Sequence, residues 1–338
     1  MEPTDCTAKQ RTLHFICINY HCSELVAELL DSLDAQADPD IRIILVDNSP
    51  NDPDLPPLVA GRADVEVMDV GINLGFGGGC NLALEHLQSR EPDAIAWLIN
   101  PDARLLPGAI ATLRRCLEAP QKPALLGTRI QNSDGEIWFD RGRFDPRWGK
   151  VNQEPQTIKP INPDTEDDLI EPCDWLSGCS LVLDLAALPV PPRFDERIFL
   201  YYEDAELCLR LHQYGVTTYV THAVLVSHHV SATMSGQLIK KYRHATFGKL
   251  YLLHRHASKK AVATNLLRFT ARASLQWIRD PQQALGRALG AAQYLAWGAR
   301  GLLRWEPSQG CPEAVGGSGQ RRACPLFRRH TKGACGPR

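Results

Sequence analysis

Three short apolar runs constrain this chain more than anything else in it: His14-Phe-Ile-Cys-Ile-Asn19, Ile41-Arg-Ile-Ile-Leu-Val46 and Ala94-Ile-Ala-Trp-Leu-Ile99. None shows strict apolar/polar alternation, so each reads as a strand buried on both faces. After the first, Ser23 opens a helix through Leu33, with Leu25, Leu29, Leu30 and Leu33 on one face. After the third, a helix is expected over Pro107–Glu118. Another strand, Val65–Asp69, precedes a glycine-rich loop at 71–79 and a helix from Asn81 to Gln88. Strands alternating with helices predict an α/β fold with a mostly parallel sheet flanked by helices. In such sheets ligands bind beyond the carboxyl ends of the strands. Here those ends carry Asn19-Tyr20, Asp47-Asn48 and Asn100-Pro101-Asp102, so polar side chains gather where a ligand crevice belongs.

The pattern changes after Ile130. Residues 131–172 are rich in Asp, Gly, Pro and Asn with interspersed aromatics, and read as an excursion over a second-substrate site. An apolar strand returns at Asp174–Leu183. Residues 255–305 read as two basic amphipathic helices split at Asp280-Pro281, and 306–338 as a disordered Gly/Pro/Arg-rich tail. Residues 1–254 are taken as the catalytic unit. They hold 22 Lys+Arg against 36 Asp+Glu, a balance of -14, whereas 255–338 hold 15 against 3, a balance of +12. Such a split predicts an acidic body with a basic appendage for an anionic partner. Tryptophan on the basic helices favours an anionic membrane surface, and no stacking motif supports nucleic acid. The other reading of these helices is a pair packed on the body.

The eleven cysteines form no CxxC pair and no zinc-type cluster, which reads as reduced thiols. Met1–Gln10 is polar, and no run of about 18 apolar residues occurs. The expected location is therefore cytoplasmic, peripheral on the cytoplasmic face of the inner membrane.

Five pieces carry candidate chemistry. In Phe199-Leu-Tyr-Tyr-Glu-Asp-Ala-Glu-Leu-Cys-Leu-Arg210, acids sit among apolar residues just before a helix over Ala205–Tyr214. A carboxylate against apolar walls has a raised pKa, which suits a general base. Glu203 or Asp204 could equally cap the helix. Asp47, with Asn19 and Tyr20 at the neighbouring strand end, could hold a nucleobase edge and ribose; strand-end turn chemistry is the plain alternative. The glycines of Asn73-Leu-Gly-Phe-Gly-Gly-Gly-Cys-Asn81 would let backbone amides approach a sugar or phosphate. Asp102 is placed to ligate a divalent cation bridging a diphosphate, or else to cap a helix over 103–118. His228, at the end of a strand and beside His229, would add a nitrogen ligand.

Together these pieces resemble the inverting family 2 glycosyltransferases, which have the GT-A fold, a Rossmann-like nucleotide-diphospho-sugar transferase architecture. The resemblance covers roughly residues 13–250. It rests on Phe15–Tyr20, Val46-Asp-Asn-Ser49, the Asn73–Asn81 loop, Leu98-Ile-Asn-Pro-Asp102, Trp175-Leu-Ser-Gly178, Phe194–Asp204 and His228. The loop and the Asn-Pro-Asp form look most like the rhamnosyltransferase-like branch, whose donors are dTDP-sugars. The resemblance implies transfer from a nucleotide-diphospho-sugar donor to a hydroxyl of a glycan or lipid-linked glycan acceptor. It gives Asp204 the role of catalytic base and places Glu203 and Trp175 at the acceptor. Asn19, Tyr20, Asp47, Asn73, Gly75, Gly77, Asn81, Asn100 and Gly178 would serve the donor. Asp102 and His228 would hold Mg²⁺ or Mn²⁺. Asn100 replaces the first acid of the more usual Asp-x-Asp. Two other readings stand beside this one. A nucleotidyltransferase would want a basic Gly-rich loop after the first strand, where Asn19–Ser23 has neither Gly nor Lys. A non-catalytic carbohydrate or membrane-surface module is the other.

Overall fold

The computed structural model describes residues 10–49, 52–154, 169–229 and 237–299; the tail expected at 306–338 lies outside them. The chain opens with β1 (Leu13–Asn19), α1 (Ser23–Asp34), β2 (Ile41–Asp47), α2 (Leu55–Val59), β3 (Val65–Asp69) and α3 (Gly75–Arg90). It continues through β4 (Ile95–Ile99), β5 (Ala103–Leu105), α4 (Ala109–Leu117), β6 (Leu125–Gln131) and β7 (Ile137–Phe139). Next come β8 (Arg141–Asp145), β9 (Lys150–Glu154), β10 (Ile170–Cys173), β11 (Ser180–Asp184), α5 (Glu203–His212) and β12 (Thr218–His228). Three helices follow, α6 (Leu238–His256), α7 (Lys259–Gln276) and α8 (Pro281–Trp297).

The main sheet runs β10-β12-β6-β11-β4-β1-β2-β3, with β5 on β12 and β7 on β6. Strands β3, β2, β1 and β4 are parallel, β6 and β12 are parallel, and β11 runs against both β4 and β6. This is the mixed, mostly parallel sheet expected. Every residue of β1 and β4 is buried, as continuous apolar strands covered on both faces must be. At the centre Phe15 stacks on Trp97 at 4.9 Å, and the Trp97 indole N–H donates to Ser180 Oγ at 2.9 Å. Arg129 is buried beyond β11, and it donates to Asp140 at 2.7 Å, to Glu171 at 2.8 Å and to the His222 carbonyl. Both its charge and its donors are thus answered.

Register fixes the crevice. Asn19 pairs with Asp47, and Asp47 with Asp69, so three polar residues stand side by side at one sheet edge. Reversed β11 begins at that same edge, opposite the end of β4, through the pair Ser180 and Ile99. Gly178 is thereby carried beside Asn100.

Several expectations change. Helix α3 starts at Gly75, so most of the presumed glycine loop is helical. Tertiary packing overrides the low helix propensity of glycine here: a Cβ at Gly77 would lie 2.8 Å from that of Phe194, and one at Gly79 3.1 Å from Ile18. Residues 103–105 form β5, so Asp102 caps no helix there. Ser23 does not cap α1; its hydroxyl donates to Asp52 at 2.9 Å.

Helix α6, which the sequence reading left unassigned, crosses the boundary placed at 254/255. It packs against α8 at Gly286 and Gly290, where a Cβ would come within 2.6 and 2.5 Å of the Ile239 and Arg243 carbonyl oxygens. Tyr294 and Trp297 of α8 flank His254, at centroid distances of 6.0 and 5.0 Å. The break at Asp280-Pro281 is as expected, with Asp280 accepting the Gln283 amide. Among the described residues no helix is long and apolar enough to cross a membrane.

Candidate active site

One part of the site is an acidic hollow at the strand ends. A cavity of about 330 Å³ at the ends of β2 and β3 is lined by Asp47, Asp52 and Asp69 with Leu55, Val59 and Val67. Asn19, fully buried, does not face it. Its amide donates to Asp47 at 3.0 Å and to Asp52 at 3.0 Å, and its oxygen accepts the Cys22 amide. Asn19 therefore positions Asp47 rather than reaching a ligand. Asp47 Oδ1 also accepts the Ser49 amide at 2.9 Å, while Oδ2 has no partner among the described residues. Burial works to raise the Asp52 carboxyl, and hydrogen bonds from Asn19, Ser23 and the Asp54 amide outweigh it, holding the group below its ordinary value. An acidic floor between apolar walls suits the N–H of a base and sugar hydroxyls, and repels phosphate. Tyr20 lies exposed beyond β1. Asp52 escaped the sequence reading because it sits in a polar turn, whereas Asp69, at the end of the expected strand Val65–Asp69, could have been counted with the other strand-end polar residues.

The glycine element does something different from cradling phosphate. Asn73 starts α3 by accepting the Gly75 amide at 2.8 Å. Gly75 has φ of +76°, and a side chain there would overlap the Phe199 carbonyl. Asn81, assigned to the donor from sequence, spends its amide on the far loop: it accepts the Phe194 N–H at 2.7 Å and donates to the Phe194 carbonyl and Glu196. Gly77 likewise serves packing against Phe194. These contacts dock α3 on the loop leading to the acidic segment.

That segment turns on Tyr201 and Tyr202, both left-handed at φ +69° and +73°. Two adjacent non-glycine residues there store strain, of order 1–3 kcal/mol each. Helix α6 buttresses the turn: Gly248 lets it lie against the Tyr201 carbonyl, and Phe199 packs on His244 at 5.0 Å. The turn delivers the two acids differently. Asp204 Oδ2 accepts the Gly178 N–H at 2.9 Å and Oδ1 the Ala205 N–H at 2.7 Å. Burial raises its carboxyl, and these amide bonds pull it partly back. Glu203 points inward, and its Oε2 is buried with no partner among the described residues. Burial, and then the Asp204 charge, push it well above the ordinary glutamate value. Glu203 therefore caps nothing and is not exposed to an acceptor. Trp175 is also buried: its ring covers Gly142 and lies 5.4 Å from Phe139, and its N–H donates to the Arg143 carbonyl. It holds the β8–β9 hairpin (Arg141–Asp145 with Lys150–Glu154) rather than lining an open acceptor site.

Asp102 and His228 meet because β5 pairs with the end of β12, Ala103 opposite His228. Nε2 of His228 lies 3.1 Å from Asp102 Oδ1, and Trp138 packs edge-on to the imidazole at 4.3 Å. Nδ1 of the same ring is buried without a partner among the described residues. His229 gives only its backbone N–H to the Asp102 carbonyl, and its side chain is exposed. One carboxylate and one imidazole fit a divalent cation that takes its remaining oxygens from a substrate. No group of three or more His, Cys, Asp or Glu side chains converges for a metal among the described residues. Asn100 anchors this edge by donating its backbone N–H to the Cys179 carbonyl at 3.1 Å.

Known proteins match this arrangement. Residues 15–168 match the family described as "Glycosyl transferase family 2". The N-acetylglucosaminyl-diphospho-decaprenol L-rhamnosyltransferase of Mycobacterium tuberculosis is 27% identical over 280 residues, covering 78% of this chain and 90% of the relative. Among solved structures, S. aureus TarS 1-349 in complex with UDP-GlcNAc has a TM-score of 0.51 at 15% identity, over 86% of this chain and 92% of that one. GalNAc-T7 with UDP, GalNAc and Mn2+ has a TM-score of 0.52 at 10% identity, over 88% of this chain and 59% of that one. Residues 15–168 thus carry a glycosyl transferase family 2 domain, the fold is that of GT-A proteins, and the family match with the rhamnosyltransferase relative marks the chain as a glycosyltransferase.

Proposed function

We propose that the protein is an inverting enzyme that moves rhamnose from dTDP-rhamnose to a hydroxyl of a lipid-linked, N-acetylglucosamine-bearing acceptor. The observation that carries the chemistry is the Asp204 carboxylate, oriented by the Gly178 and Ala205 amides at the sheet edge where β4 ends and β11 begins. The name of the M. tuberculosis relative supports the choice of sugar and acceptor.

Asp47 receives the base N–H on Oδ2. The acidic cavity keeps the diphosphate out, so the phosphates extend toward Asp102 and His228. A divalent cation held there would offset charge on the departing nucleoside diphosphate. Asp204 takes the proton of the acceptor hydroxyl as that oxygen bonds to the anomeric carbon. The bond to the diphosphate breaks on the opposite face, and configuration inverts. Because the acceptor is lipid-linked, the enzyme works peripherally on the cytoplasmic face of the membrane.

A panel of dTDP-, UDP- and GDP-sugars screened by thermal shift with and without Mn²⁺ tests the donor. Stabilisation by UDP- or GDP-sugars in preference to dTDP-rhamnose would overturn it.

A further inference from the structure

Among the described residues, one face of helix α7 is left uncovered. Its inner side, Ala261, Val262, Asn265 and Ala273, is buried, and Asn265 donates to the Trp148 carbonyl at 3.1 Å. Its outer side and the turn after it expose Leu267 (68%), Leu275 (78%), Trp277 (56%) and Ile278 (93%). Between 259 and 279 there are five Lys or Arg residues and no Asp or Glu. Arg268 and Arg272 stand close to Lys249 of α6, whose ammonium is lowered by burial and then by those two charges. None of the three has a hydrogen-bonded or ionic partner among the described residues. A cluster of cations left without anions, beside apolar side chains left without cover, is a combination that water satisfies poorly.

We propose that α7 docks flat on an anionic lipid bilayer, with Leu275, Trp277 and Ile278 entering the interface and the exposed Arg268 and Arg272 meeting headgroup phosphates. Chemistry favours lipid over a protein partner: cations flank an apolar strip containing tryptophan, the pattern of an interfacial helix. Helix α8 packs on α6 at Gly286 and Gly290, and its Leu289 and Leu295 are less exposed than Leu275 and Ile278. The inference rests on the proposed lipid-linked acceptor only for the reason to dock. It makes the anchor part of the folded body, since α7 is tied to Trp148.

The test uses the full chain in sedimentation with phosphatidylglycerol/phosphatidylcholine vesicles and with pure phosphatidylcholine. The wild type is expected to bind the anionic vesicles, more weakly as salt rises. Trp277→Ser with Ile278→Ser, and separately Arg268→Gln with Arg272→Gln, should each weaken binding about ten-fold or more with unchanged melting curves. Transfer to a short-chain water-soluble acceptor should be unchanged in both variants, and transfer to a vesicle-embedded acceptor should fall. Equal vesicle binding by variants and wild type, or no binding by the wild type, overturns the inference. So does loss of a dimer in the Trp277/Ile278 variant with vesicle binding intact, which would make the face a contact between copies. Vesicle binding without sugar transfer would overturn the proposed function alone.

Discussion

The Gly178 amide and the Asp204 carboxylate meet at 2.9 Å because β11 runs against its neighbours and enters the sheet where they end. Gly178 cannot carry a side chain without crowding, since a Cβ would lie 2.8 Å from the Phe76 ring. Asp204→Asn keeps the shape and removes the base. Transfer should fall about 10²–10⁴-fold while nucleotide affinity holds. Equilibrium binding of dTDP beside single-turnover rates checks this; affinity falling as far as rate would make Asp204 structural.

Glu203 titrates against the fold. Its carboxyl is raised when folded and ordinary, near 4.5, when unfolded, so the native state binds the extra proton. Stability from this group is present below 4.5 and is lost as pH rises toward the folded value. Glu203→Gln should therefore melt higher than wild type at neutral pH, with the gain vanishing at acid pH. Thermal melts of both proteins across that span decide it, and a lower melting temperature at neutral pH would contradict the assignment.

Asp47→Asn preserves Oδ1 for Asn19 and Ser49 but replaces the cavity-facing acceptor with a donor. Nucleotide binding should weaken about 10- to 100-fold, the worth of one hydrogen bond to a charged acceptor, with little change in melting. Calorimetric titration with dTDP provides the measurement.

Chelation should abolish transfer, and added Mn²⁺ should restore it. Asp102→Asn or His228→Ala should raise the metal concentration needed for half activity by at least about ten-fold, the loss that even an outer-sphere partner brings. His229→Ala should not. Equal effects of the two histidine changes would show that backbone placement, not the imidazole, matters.

Gly290→Val tests the helix seam. With a Cβ 2.5 Å from the Arg243 carbonyl oxygen, α6 and α8 must separate, at a cost of about 1–3 kcal/mol. Because α6 buttresses the Tyr201-Tyr202 turn, activity should fall along with the melting temperature.

The sheet could be read from residues because β1, β2 and β4 are mostly apolar and show no strict alternation, and their polar ends marked the crevice. Reading was weakest where tertiary packing overrides local preference. Gly75–Gly79 look like a loop until Phe194 and Phe199 are seen against them. Asn19 and Asn81 look like ligand contacts, because an amide's partners 28 and 113 residues away leave no local trace. The acids were nominated together, but their inward and outward assignment depends on two left-handed tyrosines that no periodicity announces. Helix α6 alternates basic and apolar residues irregularly because one side meets α8 and another meets the catalytic turn.

The reversed strand β11 has a consequence for how such a chain changes over time. The acidic cavity is made from α2 and the ends of β2 and β3, all within the first third of the chain, whereas the Gly178–Asp204 pair and the helix behind it come from the second half. The two stretches meet along the seam between β4 and β11 and again where α3 docks on the loop from Phe194 to Phe199. Either stretch can therefore drift on its own only while Asn81, Gly75 and the β4–β11 pairing are kept, so these few contacts are what tie the history of one half to that of the other.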